Sequence, residues 1–447
     1  MTAVLTALGA RWDGHLVSRL ESVPGMSIAR RCADLADLVA TAASGVGEVA
    51  FVGADLRGLT LSEVARLHDH GVEVIGVVEP GDEAGERRLW QLGVATVLSA
   101  DSDGPTLAAV VQEYAVPRQN RAPALSGGTG PMGDGSHGTG ERVTDGPTGD
   151  ATPRHTRGRV LAVWGPTGAP GRTSIAVNLA AELAGMGREV VLIDADTYGG
   201  SVAQTLSILD EAPGVAAAAR AADQGALDLV ALSRLALVVT GTFRVLTGIP
   251  VASRWPEIRG AALERVIEVA RWLADDVVID CGFSVEDDEE LSYDTQAPRR
   301  NQATLAALGA ADELLVVGAC DPVALQRLVR ALQDLGSVRA PRPIVVVNRL
   351  RPGPVGSPPE RHIGDALARF AGVPDPAFIP DDQVAFDLAM LEGRTLRECA
   401  PVSRARAAMT ALAARTLGHG AHEVGMSADG PTTGISRRRR GSTRRGR

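Results

Sequence analysis

Along the first 115 residues, apolar runs of strand length alternate with stretches that carry apolar positions at helical spacing. AVLTALG, MSIAR, EVAFVGA, VEVIGVV and ATVLSA form the first set, and GHLVSRLESV, DLADLVATAA, LSEVARLHDHG, ERRLWQLG and TLAAVVQEYA the second. Five strands and five helices in strict alternation predict a parallel sheet covered by helices on both faces. The pattern stops at 117–157, where Gly, Pro, Thr and Ser replace large apolar side chains. Such a stretch cannot bury enough surface to offset chain entropy, so a flexible linker is expected there.

A second α/β unit is expected over 158–418. RVLAVWG reads as a buried strand, GPTGAPGRTS as a tight Gly/Pro loop, and TSIAVNLAAELAGMG as a helix with Ile175, Leu179 and Leu183 on one face. EVVLIDAD and DDVVIDCGF are further buried strands that end in carboxylates, and IVVVNRL ends a strand at Asn348. From 419 to 447 the chain is again polar and rich in Gly and Arg, and a disordered tail is expected.

Composition supports this picture. Apolar residues make up 45% but aromatics only 3%, which favours helices packed on Val/Ile strands over an aromatic-rich β-sandwich. The four cysteines (Cys32, Cys281, Cys320, Cys399) include no C-x-x-C pair and no zinc or iron–sulfur spacing, so buried reduced thiols are expected. The opening MTAVLTALGARWDG lacks a basic segment followed by a long apolar run, and no stretch reaches membrane-span length. A cytoplasmic protein is expected.

Charge adds two features. All 45 basic residues are arginine, and seven of them crowd into Arg437 to Arg447, although the formal net charge is −9. An acidic body therefore ends in a basic tail that would attract DNA or an anionic membrane through counterion release and surface potential. The tail lacks the apolar face of an amphipathic membrane helix, so attachment at the inner face of the plasma membrane would be peripheral.

The candidate chemistry sits in the second unit. Strand, Gly-rich loop and helix N-terminus make an anion cradle, because free backbone N–H groups and the helix dipole converge on a phosphate. Against the pattern G-x-x-x-x-G-K-[ST], Gly171, Arg172 and Thr173 fill the last three places, while the first glycine falls on Pro166. The phosphate-binding candidates are Gly168, Ala169, Gly171, Arg172, Thr173 and Ser174. Asp194, Asp196 and Asp280, at strand C-termini beside the loop, stand where a magnesium ion and an attacking water are held.

Two resemblances follow from these residues. In order and length the first unit resembles a response-regulator receiver domain. Its acceptor position, however, falls on Gly53, Asp55 lies two residues late, and SADSD stands where that family has a lysine. A docking or dimerisation module is expected rather than a phosphorylated one. The second unit resembles the ParA/MinD family of deviant-Walker ATPases, whose loop reads K-G-G-x-G-K-[ST], and the two-unit arrangement resembles its CpaE/TadZ branch.

The ParA/MinD resemblance implies ATP and Mg2+ as cofactors. It implies that Thr173 binds the metal, Asp194 and Asp280 orient its waters, Asp196 positions the attacking water, and Asn348 reads the base. It further implies a homodimer acting as a spatial organiser in septum placement, chromosome partitioning or polar pilus and secretion assembly, with protein partners recruited through the receiver-like unit. The departures matter as well. Thr167 replaces a lysine that reaches across the family's dimer, Arg172 replaces the invariant lysine, and Pro170 removes a backbone N–H. Slow hydrolysis is expected, the alternative being a nonhydrolytic localisation scaffold. A metabolic P-loop enzyme or iron–sulfur reductase is disfavoured, since no cysteine pair appears.

Overall fold

In the computed structural model, residues 1–114, 157–168, 170–209, 212–286 and 298–426 are described. The expected linker (apart from residue 157), Ala169 of the loop, and the Arg437 to Arg447 tail lie outside them.

The first unit runs β1 (Thr2–Ala7), α1 (Ala10–Glu21), β2 (Met26–Arg31), α2 (Leu35–Ala43), β3 (Val49–Gly53) and α3 (Leu61–Asp69). It continues with β4 (Glu73–Val78), α4 (Glu83–Gln91), β5 (Thr96–Ser99) and α5 (Gly104–Tyr114). The sheet is parallel in the order β2-β1-β3-β4-β5, the flavodoxin-like order. Its two faces carry separate cores: Leu38, Val64, Leu67 and Leu89 of α2, α3 and α4 pack on one, and Leu16, Leu20 and Leu107 of α1 and α5 on the other. Strands buried on both faces explain the near-continuous apolar runs. The Asp55 carboxylate lies against Gly9, the N-cap of α1, and Gly53, which ends β3: a Cβ on either would come within 2.4 or 2.5 Å of it.

The second unit is built on β6 (Arg159–Trp164), α6 (Arg172–Gly185), β7 (Val190–Ala195), α7 (Val202–Thr205), α8 (Gly214–Asp223) and α9 (Leu229–Leu235). Then come β8 (Leu237–Thr240), β9 (Phe243–Leu246), α10 (Gly260–Leu273), β10 (Asp276–Cys281), α11 (Gln302–Ala310) and β11 (Glu313–Ala319). The closing elements are α12 (Pro322–Asp334), β12 (Pro343–Leu350), α13 (Pro359–Ala371), β13 (Ala377–Pro380), α14 (Gln383–Glu392), α15 (Leu396–Cys399) and α16 (Arg404–Met426). The last helix thus runs past the boundary expected at 418.

The eight strands order as β13-β12-β11-β6-β10-β7-β9-β8, all pairs parallel except β8 with β9. The sheet is therefore mixed but mostly parallel. The strand that feeds the Gly-rich loop, β6, is central, with Val160 to Trp164 buried. Register sets the site: Asp280 pairs with Val163 on one side and Asp194 on the other, so the ends of β6, β7 and β10 lie level.

Two charge clusters clamp this unit. Asp276, fully buried at the start of β10, accepts from Arg159 Nε (3.0 Å) and Nη2 (2.6 Å) and from Arg188 Nε (2.6 Å). Glu182 of α6, also buried, accepts from Arg406 Nε (2.9 Å) and Thr410 Oγ1 (2.9 Å) of α16. The two units touch through α3 and α4 on one side and α8 and α10 on the other. The Ser62 N–H donates to Asp223 Oδ1 at 3.0 Å, its hydroxyl donates to the same oxygen, and Ala261 packs into the first unit's core.

Candidate functional site

The loop between β6 and α6 is held by backbone geometry that the sequence supplies with glycine. Gly168 and Gly171 sit at φ +106° and +97°, in the left-handed region that side-chain-bearing residues avoid. At Gly171 space is also lacking, because a Cβ there would lie 2.4 Å from Asn348 Nδ2. Gly171 is the N-cap of α6 and makes no side-chain cap. Among the described residues no side chain caps the first N–H groups of the helix, the arrangement an anion cradle uses.

Arg172 turns back under the loop. Its Nη1 donates to the carbonyls of Gly165 (3.2 Å) and Pro166 (2.9 Å), and its Nη2 reaches Asp196 Oδ2 at 3.5 Å. Thr173 Oγ1 donates to Asp280 Oδ2 at 2.6 Å and accepts from Ser201 Oγ at 3.2 Å. Asp194 accepts from the backbone N–H of Asp196 (3.2 Å) and Val202 (3.1 Å). Asp196 Oδ1 accepts from the N–H groups of Tyr198 (2.8 Å) and Gly199 (3.2 Å). The structure therefore brings Arg172, Thr173 and the three carboxylates together, and Asp194, Asp196 and Asp280 are all buried.

Asn348 is also at the site. Its Nδ2 donates to Pro170 O at 2.9 Å, and its Oδ1 accepts from the Arg349 N–H at 2.9 Å, so the amide anchors the loop. Beside it opens a cavity of about 480 Å³ lined by Ser174, Asn178, Asn348, Arg349, Phe386 and Met390, among others. That volume suits a small organic ligand.

Burial dominates the electrostatics of Asp194 and Asp280. Burial pushes the Asp194 carboxyl up to about 7, and the neighbouring Asp196 adds to this while the Val202 N–H opposes it. Burial, and then Asp194, push Asp280 well above the carboxylate range against the pull of the Thr173 hydroxyl. Asp280 Oδ1 is buried with no hydrogen-bond partner, an expensive arrangement unless something else binds it. Among the described residues no group of three or more His, Cys, Asp or Glu side chains is set to hold a metal ion.

A pH dependence follows. Asp194 in the folded protein takes up its proton below about 7, whereas the unfolded chain does so only below about 4. Between those values the folded state binds more protons, so the nucleotide-free protein should lose stability as pH rises from about 4 to 7. Urea unfolding between pH 5 and 8 should show this fall in the wild type and a shallower one in Asp194→Asn. Parallel curves would refute the assignment.

Sequence reasoning missed several neighbours. Tyr198 packs at a tilt of 44° against Phe283 (ring centroids 4.6 Å apart), carries the Arg300 guanidinium over its ring at 4.2 Å, and donates its hydroxyl to Asn301 Oδ1 at 2.8 Å. Ser201 meets Thr173, and Trp164 Nε1 donates to Phe283 O at 3.1 Å. Proximity to Asp196 in DADTYGGS was a signal for Tyr198 and Ser201. Phe283 closes DDVVIDCGF three residues after Asp280, the same kind of signal, whereas nothing local pointed to Arg300.

Comparison with known proteins adds the following. The ParA family model, described as NUBPL iron-transfer P-loop NTPase, matches residues 157–347. No curated protein matches the chain. Among solved structures, the Pyrococcus furiosus cell division ATPase MinD is 21% identical with a TM-score of 0.47, covering 59% of this chain and 99% of that one. The ParA family ATPase from Chlorobium tepidum TLS is 20% identical with a TM-score of 0.48, covering 57% and 98%. The septum site-determining protein MinD from Pyrococcus horikoshii OT3, complexed with Mg-ADP, is 20% identical with a TM-score of 0.45, covering 58% and 95%.

Proposed function

We propose that the second unit is a ParA/MinD-type nucleotide-binding domain that takes Mg-ATP and hydrolyses it slowly, and that the protein uses this cycle as a spatial organiser. The observation that carries the reading is the Thr173 hydroxyl bonded to a buried Asp280 whose other oxygen has no partner, at a helix N-terminus that no side chain caps among the described residues. Thr173, Ser174 and the loop N–H groups would receive the phosphates, and Arg172 would neutralise them. Asp194 and Asp280 would orient the water around the metal, and the cavity beside Asn348 would take the base. The bound metal supplies charge neutralisation at the phosphates; the chain's own part is to hold and orient. The family-model match over 157–347 supports the reading.

Asp196 would position the attacking water. Both its oxygens are engaged in this arrangement, Oδ1 by two N–H groups and Oδ2 by Arg172. Hydrolysis then requires Arg172 to release Asp196 when phosphate binds, a step that keeps turnover slow. The same observation favours a second reading, a localisation scaffold that binds nucleotide without hydrolysing it. An iron-transfer role has no support in the chain: the cysteines lie far apart in sequence, and three of the four are buried.

The wider role is a proposal of the same kind. A homodimer of a CpaE/TadZ-like protein would switch its self-association with bound ATP, the receiver-like unit would recruit partners, and the arginine tail would contact DNA or anionic lipid. No helix among the described residues is long and apolar enough to cross a membrane.

Calorimetry with Mg-ATP together with a phosphate-release assay tests the core of this. Asp196→Ala should keep ATP binding and lower turnover by about 100-fold, the typical contribution of a positioned proton-transfer or water-orienting group. Binding without turnover in the wild type would select the scaffold, and no binding at millimolar Mg-ATP would remove both readings.

A further inference from the structure

We propose that Arg327, on α12, is a second phosphate-binding cation of the β6–α6 loop; this rests on the nucleotide-binding reading above. The loop has a charge deficit. Its early position carries an exposed, uncharged Thr167, and its one cation, Arg172, is nine-tenths buried and already shared between two loop carbonyls and Asp196. A triphosphate brings more negative charge than one engaged guanidinium offsets.

Helix α12 supplies what the loop lacks. It starts just after β11, which pairs with β6, so its first turns stand at the same edge of the sheet as the loop. Pro322 occupies its first position, and Asp321 caps it by accepting from the Ala324 N–H at 3.0 Å. The helix direction is thereby fixed, and about one and a half turns along it Arg327 lays its guanidinium on the loop backbone. A Cβ on Gly168 would lie 2.3 Å from Arg327 Nη1. Gly168 is glycine for its φ of +106°, and the Arg327 guanidinium lies beside it.

Arg327 is exposed, and its guanidinium has no hydrogen bond or ion pair among the described residues. Its donors are therefore available at the surface where phosphates would enter. Arginine suits the position, since its planar fork pairs with phosphate oxygens two at a time. The sequence hides this residue. It lies far along the chain from the loop, inside QRLVRAL, where it reads as the polar face of an amphipathic helix.

The test is calorimetry of the full chain with Mg-ATP, using wild type, Arg172→Ala, Arg327→Gln and Arg327→Lys, with Arg330→Ala as a control on the same helix. Arg327→Gln should weaken Mg-ATP binding by about tenfold or more, the size expected for a lost charged hydrogen bond. Its thermal midpoint without nucleotide should be unchanged, Arg327→Lys should recover part of the affinity, and Arg330→Ala should bind as the wild type does. The salt dependence of binding should also be shallower in Arg327→Gln, a readout that a purely structural contact would not move. Wild-type affinity and salt dependence in Arg327→Gln, with loss in Arg172→Ala, would overturn this proposal alone. No binding by the wild type would overturn the nucleotide reading with it.

Discussion

Arg172→Ala should weaken Mg-ATP binding by roughly 10- to 100-fold, since a hydrogen bond to a charged group contributes about 1.5–3 kcal/mol. The effect has two sources. The phosphates lose the one guanidinium inside the loop, and the loop loses the tie between Arg172 and the carbonyls of Gly165 and Pro166 that curls it. Without nucleotide the variant should also be less stable, because Asp196 loses its ion-pair partner and Asp280 a nearby positive charge. Arg172→Lys separates the two sources, since it restores a charge but not the fork that spans two carbonyls and a carboxylate. Calorimetry gives the affinity and a thermal melt at pH 8 the stability. An unchanged Kd in the alanine variant would remove Arg172 from the binding site.

Asp276→Ala should destabilise the second unit by about 3 kcal/mol while leaving Mg-ATP affinity as it is. Removing one partner of a buried ion pair typically costs about 3–5 kcal/mol, because the charge left behind is uncompensated. The low end applies because the Arg159 and Arg188 side chains are 22% and 33% exposed, so water takes over part of their solvation. Urea unfolding should show the loss, and Asp276→Asn, which keeps an acceptor but not the charge, should fall between. Asp276 starts β10 and Asp280 lies at its other end, so a change in nucleotide affinity would mean that the strand itself has shifted. Stability unchanged in the alanine variant would refute the clamp.

The strand–loop–helix around Arg172 was readable because all its information is local: an apolar run, glycines where φ must be positive, and a helical repeat from Ile175 onward. The carboxylates were readable for a related reason. Each ends a strand, and a parallel sheet places strand C-termini along one edge, so Asp194, Asp196 and Asp280 had to gather once the strands were recognised. The alternation in the first 115 residues likewise announced its sheet.

The orientation of Arg172 was not readable, because its partners are backbone carbonyls and a carboxylate whose relative positions depend on how the loop closes. For Asn348, strand-end placement alone did not show that its amide would be used to hold Pro170. The Asp276 clamp, the Glu182 tie to α16, the Ser62–Asp223 contact and the seat of Arg327 on Gly168 all join residues far apart in the chain.

By itself, then, the sequence determined the alternating elements of the first unit, the strands and helix around the loop of the second, the α/β character of both and the residues available at the edge where a phosphate would bind. Those properties follow from backbone conformation and from the period with which side chains meet water or a core, both set within a few residues. Only the tertiary structure decided which charges neutralise one another, which polar atom stays unpaired and which arginine lies over the loop, because long side chains choose partners by proximity in space, and that proximity exists only once distant segments have packed.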